Sequence, residues 1–204
     1  MKQNDRTDQI QVRVIYMASG QSRRFGSINK LLLNLDGKPL FAHVLDRLAQ
    51  LVNRYDWLHV VVVTSFSDIL NWTQRLGLYA VHNTQPERGQ SESIRLGLAA
   101  QAEDYQIAVF MTADQPDLSE TMLIQFLEQA RLESESMVCA TDGERWGNPV
   151  SFPQMLIPDL LALRGDVGGK AVMRLGKVPV RPCYVSSEAL WDIDCPSDLT
   201  RRIK

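Results

Sequence analysis

Two kinds of chemistry-bearing residue stand out in the sequence: a glycine-containing basic loop, and aspartates placed at the ends of apolar runs. The loop, Gly20-Gln21-Ser22-Arg23-Arg24-Phe25-Gly26-Ser27-Ile28-Asn29-Lys30, follows directly on the apolar run Val12 to Met17. In open α/β sheets ligands bind beyond the carboxyl ends of the strands, so its position alone makes it a candidate ligand loop. Glycine lets the backbone approach an anion and aim N–H groups at it, while Arg24 and Lys30 bring positive charge to set against a triphosphate. Ala18-Ser19-Gly20 are small enough for a sharp turn, and Ser22 adds a hydroxyl donor. The spacings G-x-x-x-x-G-K-[ST] and G-x-G-x-x-G are both absent, so neither a P-loop nor a dinucleotide cradle is expected. Without a ligand, the same residues would make a solvated basic connection from strand to helix.

Asp114 ends the run Ala108-Val109-Phe110-Met111-Thr112-Ala113, and Pro116 then forces the chain to turn. A hard carboxylate oxygen beside phosphates suits magnesium, which keeps several waters and takes one or two protein carboxylates. Asp192 and Asp194 form a second candidate metal pair, because in an extended segment both would point to the same side. Each aspartate has a plainer alternative: Asp114 in an Asx-turn, Asp194 or Ser197 as the cap of a last helix. His43, His59 and His82 are dispersed, and Cys139, Cys183 and Cys195 show no ligand spacing, so neither a zinc site, a disulfide framework nor a nucleophilic triad is expected.

The elements that must position these groups follow from periodicity. Val12 to Met17 reads as a first strand, and Leu58 to Thr64, with its four successive valines, as one buried on both faces. Apolar residues at helical spacing predict a helix from Pro39 to Val52. Further helices are expected over Asp68 to Leu76 and Ser91 to Ala102, the latter with Ser91 as a possible N-cap, and strands over Leu78 to His82 and Ile107 to Met111. Another helix should begin at Ser119, with Glu120 in its first turn. Alternating strands and helices predict a three-layer α/β/α, Rossmann-like fold with a mostly parallel sheet. From about residue 137 to 190 the periodicity weakens and Gly and Pro become frequent, which suggests a substrate-facing region on the same sheet. The expected organisation is one domain over residues 1–204, with a polar tail at residues 1–11.

Composition is compatible with this. The 204 residues are 45% hydrophobic and 23% charged with net charge -2, so neither disorder nor a nucleic-acid-binding surface is indicated. No signal-peptide pattern and no membrane-length apolar run occurs, which predicts a cytoplasmic protein that does not engage a membrane.

With these residues assembled, the chain resembles the nucleotidyltransferases that attach a nucleotide to molybdopterin. Their signature is an apolar strand leading into small residues, G-x-S-x-R-[FM]-G and then a lysine. Here Met17-Ala18-Ser19-Gly20 replaces the commoner Leu-Ala-Ala-Gly or Leu-Ala-Gly-Gly, and three residues instead of two separate Gly26 from Lys30. Asp114-Gln115-Pro116 matches the family's D-Q-P, and Asp192-Ile193-Asp194-Cys195-Pro196-Ser197-Asp198-Leu199 is similar to its closing D-I-D-T-P-E-D-L. His82 to Leu98 resembles N-P-x-x-x-x-G-M-x-x-S-L-R-x-G-L, with Thr84 for Pro and Gln90 for Met. Gly147-Asn148-Pro149-Val150 and Gly165-Asp166-Val167-Gly168-Gly169-Lys170 resemble G-[HN]-P-[VI] and G-D-x-G-[AG]-[RK].

The resemblance implies magnesium-dependent transfer of a nucleoside monophosphate from a triphosphate to molybdopterin. It implies that Arg24, Lys30 and Asp114 carry the reaction and that Ala18, Ser19, Gly20, Ser22, Asn83, Gly89 and Ser93 also hold the nucleotide. Asn148, Gly168 and Lys170 would face the acceptor, with Arg164 as a further cation, and Asp114 with Asp192 or Asp194 would bind Mg2+. Arg24-Phe25-Gly26, Gly147-Asn148-Pro149 and the Ala18-Ser19 pair look more like the cytidylyltransferase branch, which implies CTP and molybdopterin cytosine dinucleotide. A molybdoenzyme receiving the finished cofactor is the implied partner. The alternatives are a guanylyltransferase, another sugar- or alditol-phosphate nucleotidyltransferase, and a non-catalytic nucleotide-binding protein of the same fold.

Overall fold

The protein's computed structural model describes residues 10–20, 25, 28–100, 104–195 and 197–198. The first apolar run becomes β1 (Val12–Ala18), whose alternating side chains feed two cores: Val14 and Tyr16 enter one, Ile15 the other. A strand covered on both faces has no solvent side to keep polar, hence its nearly continuous apolar sequence. Along the chain β2 (Leu58–Thr64), β3 (Tyr79–His82), β4 (Ile107–Thr112), β5 (Met137–Thr141), β6 (Trp146–Pro153) and β7 (Val180–Tyr184) follow. They complete a seven-stranded sheet in the order β3-β2-β1-β4-β6-β5-β7. β6 runs antiparallel to β4 and β5, and the other pairings are parallel.

Helices cover both faces. α1 (Ala42–Val52), α2 (Ser67–Arg75) and α4 (Glu120–Leu132) supply the core that contains Val14 and Tyr16. α3 (Gln90–Ala99) and the short α5 (Ile157–Leu161) and α6 (Lys170–Met173) supply the core around Ile15. The result is the three-layer Rossmann-like arrangement, and the segment beyond residue 137 adds its strands to the same sheet. Among the described residues no helix is long and apolar enough to cross a membrane.

Local differences from the expected boundaries have identifiable causes. α1 starts at Ala42 rather than Pro39, because Lys38–Pro39 pairs with Asn34–Leu35 in a small hairpin. Its turn residues Asp36 and Gly37 take φ of 51° and 91°, the left-handed conformations that an Asp-Gly hairpin turn favours. α3 begins at Gln90 and ends at Ala99, so Ser91 is its second residue and not its cap. Ser119 does cap α4, its hydroxyl accepting from Met122 N at 3.2 Å.

Two features bring α3 to its place over the strand ends. Gly97 lies on β1 so closely that a Cβ there would stand 2.3 Å from Ile15 Cγ2, so only glycine permits this approach. The buried Arg13 donates to the carbonyls of Leu98 and Ala100 at the far end of the helix. Its guanidinium also lies 4.0 Å from the centre of the Tyr105 ring. With α3 fixed there, its first turn stands at the sheet edge where β1, β2 and β4 end.

Candidate active site

At that edge Lys30 meets two aspartates from distant parts of the chain. Lys30 opens a 3-10 turn, Lys30–Leu32, capped by Asn29, whose side-chain oxygen accepts from Leu31 N. Its Nζ donates to Asp114 Oδ2 and to Asp194 Oδ1, both at 2.8 Å. Burial opposes charge on this lysine, but attraction and hydrogen bonding from Asp114, then Asp194, outweigh it and hold the ammonium above its ordinary range. The extra residue between Gly26 and Lys30 therefore leaves the lysine facing Asp114.

The aspartates are held from both sides. Arg47 of α1 donates to the carbonyls of Pro116 and Leu118 at 2.8 and 2.9 Å, which fixes the turn after Asp114. Ile193 N donates to Asp114 O at 3.0 Å, so the C-terminal segment runs along the end of β4. Buried Leu190 and Ile193 anchor that segment in the core. The Asp198 carboxylate accepts from the N–H groups of Asp194 and Cys195. The Asp194 side chain is thus turned to Lys30 rather than to capping.

Asp192 differs from Asp194. Its residue is exposed as a whole, yet its carboxyl sits near the cluster, and its pKa is raised to about 6. The largest cause is partial enclosure, then repulsion from Asp114 and Asp194, offset in part by Lys30 and a hydrogen bond from Gln115. Gln115 is buried, and the sequence reading missed its role as Asp192's partner; its only signal was its place inside D-Q-P.

A cleft of about 730 Å³ opens beside the cluster. It is lined by Ser19 and Gly20 from the turn after β1, by Lys30, Asp114 and Asp194 of the cluster, by Arg88, Gly89 and Ser93 from the start of α3 and the turn before it, and by Thr112 at the end of β4. Ser19 donates to Val63 O at 3.2 Å and Thr64 to Ala18 O at 2.8 Å, so the turn after β1 is tied to β2. Gly89 has φ of 84°, and a Cβ on it would stand 2.6 Å from Asp166 N. The first N–H groups of α3 are met by the segment packed on Gly89: Ser91 N donates to Gly165 O at 3.2 Å, and Gln90 N to Asp166 Oδ1 at 3.4 Å. Asp166 and Arg88 both line the cleft, and neither had been singled out as a site residue from the sequence.

Other expected residues lie elsewhere. Ala18 is wholly buried in the core beneath its turn. Asn83 is buried behind Ser93, donating to its Oγ at 3.3 Å and accepting from Gln85 N, so it braces the loop instead of lining the cleft. Gly168 lies against the Gln90 side chain, and neither it nor Asn148, Lys170 and Asp192 is among the residues that line the cleft. Lys170 is exposed at the start of α6, and its charge partly offsets the burial that pushes the Cys139 thiol up to about 11. Arg24 and Ser22 fall outside the described residues. A broader hollow of about 820 Å³ on the flank of α2, lined by Phe41, Asp68, Trp72 and Arg75, contains none of the expected site residues.

The donor set fits a hard divalent cation. One Asp114 oxygen, Oδ1, is buried and has no hydrogen-bond partner among the described residues. The other shares a single ammonium with Asp194, so the two carboxylates are spaced to share one cation. No group of three or more His, Cys, Asp and Glu side chains able to hold a metal occurs among the described residues. An all-protein cage is not what magnesium requires.

A family model, the MobA-like NTP transferase domain, matches residues 14–181. The chain belongs to this MobA-like NTP transferase family. Among curated relatives, the purine catabolism protein PucB of Bacillus subtilis is 28% identical over 203 residues, covering 92% of this chain and 95% of its own. A probable molybdenum cofactor guanylyltransferase of Thermococcus sibiricus is 26% identical over 199 residues, with the same coverage of 92% and 95%. The crystal structure of Rv0371c from Mycobacterium tuberculosis superposes with a TM-score of 0.78 at 24% identity over 95% of this chain and 97% of that one, and the same protein has also been solved in complex with manganese. The protein is therefore a nucleotidyltransferase of the MobA-like type, and the glycine-walled cleft with its lysine-bridged aspartates is the candidate site for that chemistry.

Proposed function

We propose that the protein transfers CMP from CTP to the terminal phosphate of molybdopterin, forming molybdopterin cytosine dinucleotide and pyrophosphate. The observation that carries this reading is the single ammonium of Lys30 held between Asp114 and Asp194 in the lining of the cleft. An acceptor phosphate oxygen forms a bond to the α-phosphorus, and the bond from that phosphorus to the bridging oxygen of the β-phosphate breaks. The protein contributes positioning and charge neutralisation rather than a covalent intermediate. Lys30, Arg24 and Arg88 set positive charge against the triphosphate. Ser19, Gly20, Gly89 and Ser93 hold the nucleotide, and Asn83 keeps Ser93 in place. Asp114 and Asp194 would hold a divalent cation, magnesium in this reading, which supplies neutralisation of phosphate charge. Asp192 is left as a neighbour rather than a ligand.

Residues 137–190 form the acceptor side within a single domain, with Asn148 toward the heterocycle and Gly168 and Lys170 toward the second phosphate. CTP is supported by Arg24-Phe25-Gly26, by Gly147-Asn148-Pro149, and by Ser19, whose side chain fills space at the end of β1 that a glycine would leave open. We place the reaction in the cytoplasm, where Cys139, Cys183 and Cys195 persist as free thiols and a molybdoenzyme can receive the product.

A guanylyltransferase is the second reading, favoured by the names of relatives such as the Thermococcus sibiricus protein. Incubating the protein with magnesium, molybdopterin and each of CTP, GTP, ATP and UTP, with products identified by mass, separates the two. The cytosine dinucleotide with one pyrophosphate per product supports our reading, and the guanine dinucleotide replaces it with the second. Pyrophosphate released only with a sugar or alditol phosphate overturns the acceptor assignment, and binding with no pyrophosphate overturns catalysis.

A further inference from the structure

Thr112 is the last residue of β4, two positions before Asp114, and it lines the cleft. In the sheet it stands opposite Met17 of β1, another cleft residue. Its Oγ1 is shielded from solvent and has no hydrogen-bond partner among the described residues. A valine of the same shape would fill this strand end with no polar group to satisfy. Burying a hydroxyl without a partner disfavours the folded state, so a threonine here points to an oxygen that arrives with the substrate.

We propose that Thr112 is a substrate-binding residue whose hydroxyl pairs with a ribose hydroxyl of the bound nucleotide. The inference rests on reading this cleft as the nucleotide site. Thr112 and Asp114 are two residues apart in the chain, so at most about 7 Å separates them, roughly the step from a nucleotide's α-phosphate to its sugar. Thr112 and Asp114 both line the cleft, so the phosphate end and the Thr112 hydroxyl belong to one track. Ser93 and Gly89 line the same cleft and offer room for the nucleoside to continue.

The test compares wild type, Thr112→Val and Thr112→Ser. Thermal unfolding without ligand should place Thr112→Val at or above the wild-type Tm, since the isosteric change removes an unpaired buried hydroxyl. Calorimetry with magnesium and whichever nucleoside triphosphate binds wild type best should show about tenfold weaker binding for Thr112→Val, the loss of one hydrogen bond, and near-wild-type binding for Thr112→Ser. With the 2′,3′-dideoxy form of that nucleotide, wild type and Thr112→Val should bind alike. An equal loss with ribose and dideoxyribose forms overturns the inference, as does unchanged binding by Thr112→Val or a Tm several degrees below wild type. Wild-type protein that binds no triphosphate instead removes the reading of the cleft as a nucleotide site, and this inference with it.

Discussion

Replacing Lys30 by methionine keeps most of the side-chain volume and removes the charge between Asp114 and Asp194. The lysine side chain is 10% exposed, Asp114 19% and Asp194 49%, so one pair is shielded and the other is half in water. Removing one partner of a buried pair costs about 3–5 kcal/mol, and of an exposed pair about 0–1 kcal/mol. For this mixed site about 2–3 kcal/mol follows, a Tm lowered by roughly 5–10 °C at this chain length. Because the folded pKa of Lys30 is raised, its contribution is fully present below the unfolded value of about 10.4 and is lost as pH rises through the folded one. The difference between wild type and Lys30→Met should therefore be constant from pH 7 to 9 and shrink above about 10.5. Millimolar magnesium should stabilise the variant more than wild type, because the two carboxylates then have no ammonium between them. Differential scanning calorimetry with and without magnesium measures all three effects. A variant within a degree of wild type and indifferent to magnesium would falsify the claim that these groups form one electrostatic unit.

Other expectations follow from neighbouring contacts. Asp192 is harder to ionise when folded, so its charge destabilises the protein above about pH 6 and not below pH 4. Asp192→Asn should raise stability at pH 7.5 by up to about 1 kcal/mol, limited by solvent screening, with no gain at pH 4 in chemical denaturation. Gly89→Ala, with φ of 84° and no space beside Asp166, should cost about 1–3 kcal/mol and weaken nucleotide binding measured by calorimetry. Cys139 and Cys183 are buried with thiols pushed up by that burial, Cys139 to about 11, so iodoacetamide at pH 8 should spare both in the native protein and modify them once it is unfolded.

Periodicity located the strands that end at the cleft because buried parallel strands leave continuous apolar runs, as in Leu58–Thr64. Lys30 and Asp114 were readable from residue type and position after a strand. Their union with Asp194 was not, since it depends on Leu190 and Ile193 anchoring a segment from the other end of the chain. Ser91 is not the cap of α3 for a similar reason: the first N–H groups of the helix are met by Gly165 and Asp166, partners no local pattern contains. Asn83 has the chemistry of a ligand contact, but burial commits one end of its amide to Ser93 of α3 and the other to the loop at Gln85. The Asp36-Gly37 turn was legible in principle, and the helical spacing that follows it concealed the hairpin.

The most direct measurement is a crystal structure of the protein with magnesium and a non-hydrolysable CTP analogue. The account predicts the triphosphate in the cleft, a cation on Asp114 and Asp194, and Lys30 Nζ against a phosphate oxygen. A nucleotide bound at the α2 hollow, or one in the cleft with its phosphates remote from Asp114, would contradict it.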